Sequence, residues 1–199
     1  MDNNSKYAET IFITGISLSG KSTLGKRLKD DLIKSGICNI KLLDGEDIRE
    51  QFEERGKHYG YSTEERNAIA LEIARMALEY NRQGIICIIC SICHVRQIRE
   101  QMRAIIGNIM EVYLDCPLSV CVQRDYKGNY TKAFQGLYDN FIGVTEPYQK
   151  SDQTELVLHT DRDSIEKCSQ LLLKSALTFL KGEGKKIGQY VDNIESVIE

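Results

Sequence analysis

No stretch of this 199-residue chain is long and apolar enough to cross a bilayer, and its N terminus carries neither a signal nor a transit peptide. No internal repeat is visible. Positive charge is also scarce: 26 Lys and Arg stand against 29 Asp and Glu, a formal net charge of −3. That balance provides no long-range attraction for nucleic acid or an anionic membrane. Seven cysteines, an odd number without an export signal, argue for reduced thiols rather than a disulfide framework. These absences predict a soluble cytoplasmic protein with neither nucleic acid nor membrane as partner. With 42% hydrophobic residues, the chain has material for one globular domain, expected over residues 1–181, followed by a C-terminal tail, 182–199, in which Ile187, Val191, Ile194 and Ile198 keep helical spacing.

What is present centres on residues 10–25, where the apolar run Ile11-Phe12-Ile13 leads into Gly15-x-x-x-x-Gly20-Lys21-Ser22 and then into a helical pattern. This is a phosphate-binding P-loop in its expected setting. Gly15 and Gly20 let successive backbone N–H groups close around a polyphosphate. The following helix adds the positive end of its dipole, Lys21 reaches the β- and γ-phosphates, and the Ser22 hydroxyl suits Mg²⁺. With glycine near 7% of residues, these fixed positions coincide by accident in roughly one chain in a hundred of this length. ATP and Mg²⁺ are therefore expected, with Gly15, Ser17, Ser19, Gly20, Lys21, Ser22 and Thr23 as the ATP-binding set.

Beyond the P-loop, strand and helix patterns alternate. Helix Lys21 to Lys34 ends at Ser35-Gly36, and strand Ile40 to Leu43 delivers Asp44-Gly45-Glu46-Asp47 to its C-terminal end, where open α/β sheets bind ligands. Ser62-Thr-Glu-Glu65 is a capping box opening a helix with Ile69, Ile73, Met76, Ala77 and Tyr80 on one face. The run from Gly84 to Cys93 reads as a buried strand. Its Cys87-x-x-Cys90-x-x-Cys93 spacing sends successive thiols to opposite faces, which suits small buried hydrophobes better than zinc. A charged helix from about His94, a strand at Met110 to Asp115, a strand at Glu155 to His159 and a helix from about Ser164 to Leu180 complete the pattern. The alternation predicts an α/β fold of the P-loop NTPase type, a parallel sheet covered by helices on both faces. Residues 125–153, rich in turn formers and aromatics, read as an irregular lid.

Taken in order, the P-loop, Leu43-Asp-Gly-Glu-Asp-Ile-Arg49, Gly60-Tyr-Ser-Thr-Glu-Glu-Arg66, Val112-Tyr-Leu-Asp-Cys-Pro-Leu118, Arg124-Asp-Tyr-Lys-Gly128 and Leu156-Val-Leu158 resemble the adenylylsulfate (APS) kinases over about residues 9–175. The resemblance implies transfer of the ATP γ-phosphoryl to the 3′-hydroxyl of APS, giving 3′-phosphoadenylylsulfate in sulfate activation, with Mg²⁺ and usually as a homodimer. It implies Lys21 and Asp44 as catalytic residues, with Asp44 accepting the hydroxyl proton or holding Mg²⁺ with Ser22. Arg124 is similar to the lid arginine near ATP. Glu46, Arg49, Tyr61, Arg66, Lys127, Tyr130 and Phe141 fall at acceptor-binding positions, Arg49 on the 5′ anion and Tyr61 with Phe141 around the base.

The departures fall on the acceptor side. Asp47 stands where the family has Asn, Ile69-Ala70-Leu71 replaces Asn-Ile-Arg, Asp139-Asn-Phe-Ile-Gly143 replaces Lys-Gly-Phe-Thr-Gly, and Cys93-His-Val-Arg96 replaces Ser-Pro-Tyr-Arg. Three readings follow: an APS kinase, a 3′-kinase for another 5′-activated nucleotide such as cytidine diphosphoramidate in capsule assembly, or a non-catalytic nucleotide-binding module. Retention of Lys21, Ser22 and Asp44 speaks against the last.

Overall fold

The computed structural model describes residues 7–182; the tail expected to be helical lies outside them. Twelve elements run in the order β1 (Thr10–Thr14), α1 (Lys21–Lys34), β2 (Ile40–Asp44), α2 (Gly45–Glu54), α3 (Thr63–Arg82), β3 (Ile86–Cys90), α4 (Arg96–Ile106), β4 (Ile109–Leu114), α5 (Leu118–Gln123), α6 (Asn129–Phe134), β5 (Leu156–Leu158) and α7 (Ile165–Leu180). The strands form one parallel sheet in the order β2-β3-β1-β4-β5. Helices α3 and α4 seal one face around Phe12, Leu43, Ile69, Ile73, Ile89 and Met102. Helices α1 and α7 seal the other around Ile11, Ile13, Leu28, Ile88, Val112 and Leu172. Each such side chain, wholly withdrawn from water, contributes about 1.5–3 kcal/mol.

The cysteine-bearing strand alternates as expected. Cys87 joins the α3 face and Cys90 the α1 face, because side chains three apart on a strand point oppositely. The Ser62–Glu65 capping box forms in full. Three helices went unanticipated. α2 follows Asp44 with no intervening loop, α5 is one and a half turns long, and α6 lies inside the segment expected to be irregular. A third, smaller cluster of Ile16, Cys116, Cys121, Tyr130 and Ile142 packs that segment against the P-loop.

Register decides where the site forms. Ile13 and Asp44 both pair with Cys90, so β1, β3 and β2 end level with one another. The P-loop, Ser91 and Gly45 leave the sheet side by side. Gly45 has to be small here, since a Cβ on it would lie 3.0 Å from the Cβ of Ser91.

Candidate active site

The loop between β1 and α1 is built to expose its amides. Its four consecutive carbonyls, Ile16 to Ser19, each accept a hydrogen bond from a side chain: Lys21 Nζ to Ile16 O (2.7 Å), Tyr130 Oη to Ser17 O (2.9 Å), an Arg124 guanidinium nitrogen to Leu18 O (3.3 Å) and Thr160 Oγ1 to Ser19 O (2.8 Å). The Ser19 amide closes the turn on Ile16 O (3.3 Å), and with the carbonyls so engaged the other loop N–H groups are available to an anion nest. Gly15 (φ 152) and Gly20 (φ 104) adopt backbone angles that side chains resist, and Leu18 holds φ 59 at a steric cost of about 1–2 kcal/mol. A Cβ at Gly15 would come within 2.9 Å of both Leu114 O and Ser19 Oγ.

The helix that follows is left open at its positive end. α1 has glycine as N-cap, no side-chain cap and no acid in its first turn, whereas α2, α3 and α7 are capped by Asp44, Ser62 and Ser164. An anion at α1 would satisfy amides that those three helices satisfy internally.

Ser22 Oγ donates to Asp44 Oδ2 at 2.5 Å, while Asp44 Oδ1 accepts from the Glu46 amide at 3.1 Å. The carboxylate is buried at the strand end and oriented by its own cap of α2. Ser22 and Asp44 together make a hard, all-oxygen donor set, which suits Mg²⁺, an ion that takes one or two protein oxygens and fills its shell with water and phosphate. Desolvation pushes the Lys21 ammonium down to about 8, only partly offset by nearby acids such as Asp44 and Glu46. A polyphosphate would restore what that lysine lacks.

A cavity of about 910 Å³ runs from this loop past Asp44 to α3. Of the sequence-predicted residues, Ser17, Ser19, Gly20, Lys21, Ser22, Thr23, Asp44, Glu46, Arg49, Tyr61, Arg66, Arg124 and Lys127 line it. Tyr61 carries two guanidinium groups against its ring, Arg49 at 4.5 Å and Arg66 at 5.0 Å. Arg49 also donates to the carbonyls of Tyr59 and Gly60 (2.5 and 2.6 Å), and Arg66 to those of Tyr61 and Asn140 (2.9 and 3.1 Å). Desolvation and the Arg49 charge both lower the Arg66 pKa, so an anion at this spot would be held by two cations. Lys127 meets Glu46 at 3.8 Å, joining the 125–153 segment to α2 across the cavity mouth.

Two expectations are corrected. Tyr130 is fully buried and its hydroxyl holds the P-loop; it supports the phosphate site instead of meeting an acceptor. Phe141 does not pair with Tyr61 across the cavity. It packs edge-on to Tyr130 (4.9 Å) and stacks on Tyr138 (5.8 Å) against the third cluster, where its ring is partly withdrawn from water. Sequence reasoning also missed Thr160, which follows a strand with no motif of its own, and the buried ion pair Arg99–Glu111 (3.0 Å). Arg99 further donates to Cys93 O and Gln149 O, tying the end of the 125–153 segment to the sheet.

Comparison with known proteins agrees with this geometry. The family model for adenylylsulphate kinase matches residues 7–159. The chain is 36% identical over 166 residues to the adenylyl-sulfate kinase of Synechococcus sp. (strain JA-3-3Ab), covering 83% of this chain and 92% of that one. The chain belongs to the adenylylsulfate kinase family. Another family member, from Clostridium acetobutylicum, is 35% identical over 159 residues, with 79% of this chain and 78% of that protein covered. Among solved structures, the APS kinase CysC of Mycobacterium tuberculosis in complex with AMPPNP and APS superposes with a TM-score of 0.74 at 28% identity, covering 83% and 96% of the two chains. A hexameric APS kinase from Thiobacillus denitrificans superposes at 0.63 and 25% identity over 90% of this chain and 30% of that one. The fold described above is thus that of the solved APS kinase it superposes on.

Proposed function

We propose that the protein transfers the γ-phosphoryl of ATP to the 3′-hydroxyl of adenylylsulfate. The Ser22–Asp44 contact at 2.5 Å beside Lys21 carries this reading, since it puts a carboxylate next to the place where the transferred group must sit. The acceptor oxygen bonds to the γ-phosphorus, the bond from that phosphorus to the β–γ bridging oxygen breaks, and ADP leaves with the electron pair. Asp44 takes the hydroxyl proton or, where it holds Mg²⁺ with Ser22 instead, that proton passes to solvent water; the ion, when bound, would neutralise charge on the phosphates. Lys21 and the loop amides hold the phosphates in line, and Arg124 stands at the loop's outer edge. Residues 1–181 act as the kinase domain, 125–153 serve as its lid, and two copies work as a homodimer in the cytoplasm.

A second reading is favoured by one observation. The acceptor half of the cavity sets four acids, Glu46, Asp47, Glu50 and Glu53, and the apolar Ile69 and Ala70 beside the cations Arg49, Arg66 and Lys127. Such a wall suits a less strongly anionic acceptor, for which cytidine diphosphoramidate is the candidate. ³¹P NMR with ATP, Mg²⁺ and each acceptor in parallel separates the two. A 3′-phosphate resonance with adenylylsulfate alone supports the first reading, one with the cytidine compound alone replaces it by the second, and none with either overturns both.

A further inference from the structure

Four buried side-chain atoms among the described residues have no hydrogen-bond partner: Ser19 Oγ, Ser91 Oγ, His94 Nδ1 and Asp125 Oδ1. Ser19, Ser91 and Asp125 line the same cavity. Buried polar atoms in native proteins are nearly always paired, so a concentration of orphans around one cavity marks where a ligand supplies the missing partners. Ser19 and Asp125 belong to the P-loop and the Arg124-Asp125 motif already described. Ser91 belongs to neither.

Its position is fixed by the sheet. The Ser91 amide donates to Ile13 O at 3.2 Å, and the residue is 8% exposed, packed under the bare Cα of Gly45. Strand alternation puts its side chain on the face of Ile89, not that of Cys90. That is the α3 face, where Ile69, Ala70 and Ile73 also line the cavity; Asp44 and Ser22 lie towards α1. The Ser91 hydroxyl is therefore a neutral hydrogen-bonding group on the same face as the apolar Ile69, Ala70 and Ile73, one residue beyond the pairing level of Asp44.

We propose that Ser91 Oγ is a specificity-determining contact that hydrogen-bonds an uncharged nitrogen or oxygen of the acceptor's nucleoside. A neutral hydroxyl brings no counter-charge for an anion, and its place on the α3 side separates it from the phosphates of ATP. Ser91 has this role only if the cavity holds a nucleotide acceptor, as proposed above.

The test compares the wild-type protein with Ser91→Ala, a change that removes one oxygen and alters no backbone. Without ligand, Ser91→Ala melts at a temperature a few degrees higher, because an unsatisfied buried hydroxyl is destabilising. In steady state its KM rises about tenfold for whichever of adenylylsulfate and cytidine diphosphoramidate the wild type phosphorylates, while KM for ATP stays within twofold. A hydroxyl with a merely structural role gives the opposite pair, a lower melting temperature and an unchanged acceptor KM, and that result overturns the proposal; so does a rise confined to the KM for ATP. If the wild type phosphorylates neither compound, the functional reading fails by itself, and the ligand-free melting temperature still decides on Ser91: a rise supports the orphaned hydroxyl and a fall or no change removes it.

Discussion

Asp44 has its two carboxylate oxygens committed to different parts of the chain, one to the Glu46 amide and one to Ser22. Asn in its place preserves the helix cap but neither accepts a proton nor offers charge to a metal. Asp44→Asn should therefore lower kcat by about two to four orders of magnitude, with ATP affinity, measured by fluorescence titration, changed far less. Lys21 makes a prediction with a sign. Desolvation lowers its pKa from 10.5 to about 8, so folding releases a proton between those values. The group's unfavourable contribution to stability is fully present below about pH 8 and fades as pH rises towards 10.5. Triphosphate favours the ammonium, which reverses the sign for binding. ATP binding should take up a proton at pH 8.5 and almost none at pH 7, with affinity falling as pH rises past 8. Calorimetry in two buffers of different ionisation enthalpy measures the uptake directly.

At the scale of elements, α1 can lie close on β3 only because residue 25 is glycine. A Cβ there would overlap Cys90 Sγ, and the Cys90 thiol itself points at Lys21 O (3.4 Å). Gly25→Ala should cost about 1–3 kcal/mol from overpacking despite the better helix propensity of alanine. Adding Cys90→Ala should recover most of the loss, since the new methyl takes space the sulfur leaves. Urea unfolding of the three variants checks both statements, and additive losses in the double variant would show that the two residues do not meet. Much of this layer was legible beforehand. The P-loop, the alternation of strands and helices, the capping box and the opposed cysteines all follow from short-range spacing, and α1 and α3 lie within a residue or two of their expected bounds. What escaped depends on partners far away in sequence. α5 and α6 are too short for periodicity to reveal. Tyr130 read as an acceptor-binding residue because the groove that buries it forms only when Ile16, Cys121 and Ile142 converge.

For the molecule as a whole, six of the seven cysteines are buried and Cys38 is exposed. Burial pushes Cys87, Cys93 and Cys121 up to about 12 and Cys90 higher still, leaving almost no thiolate at neutral pH. A chromogenic disulfide reagent should titrate one thiol rapidly in the native protein and the other six only on unfolding. Fast reaction of a second thiol would mean that one of the three clusters opens readily. The same assay run with ATP present should leave the count at one. The donors that hold carbonyls 16–19 come from positions 21, 124, 130 and 160, and this has a consequence during synthesis. A ribosome that has delivered the first 30 residues has already made the entire Gly15–Ser22 motif, yet Thr160 is still unmade and the carbonyl of Ser19 has no clasp. The complete set of clasps therefore waits for residue 160, so copies that stop short of it hold the phosphate loop less firmly.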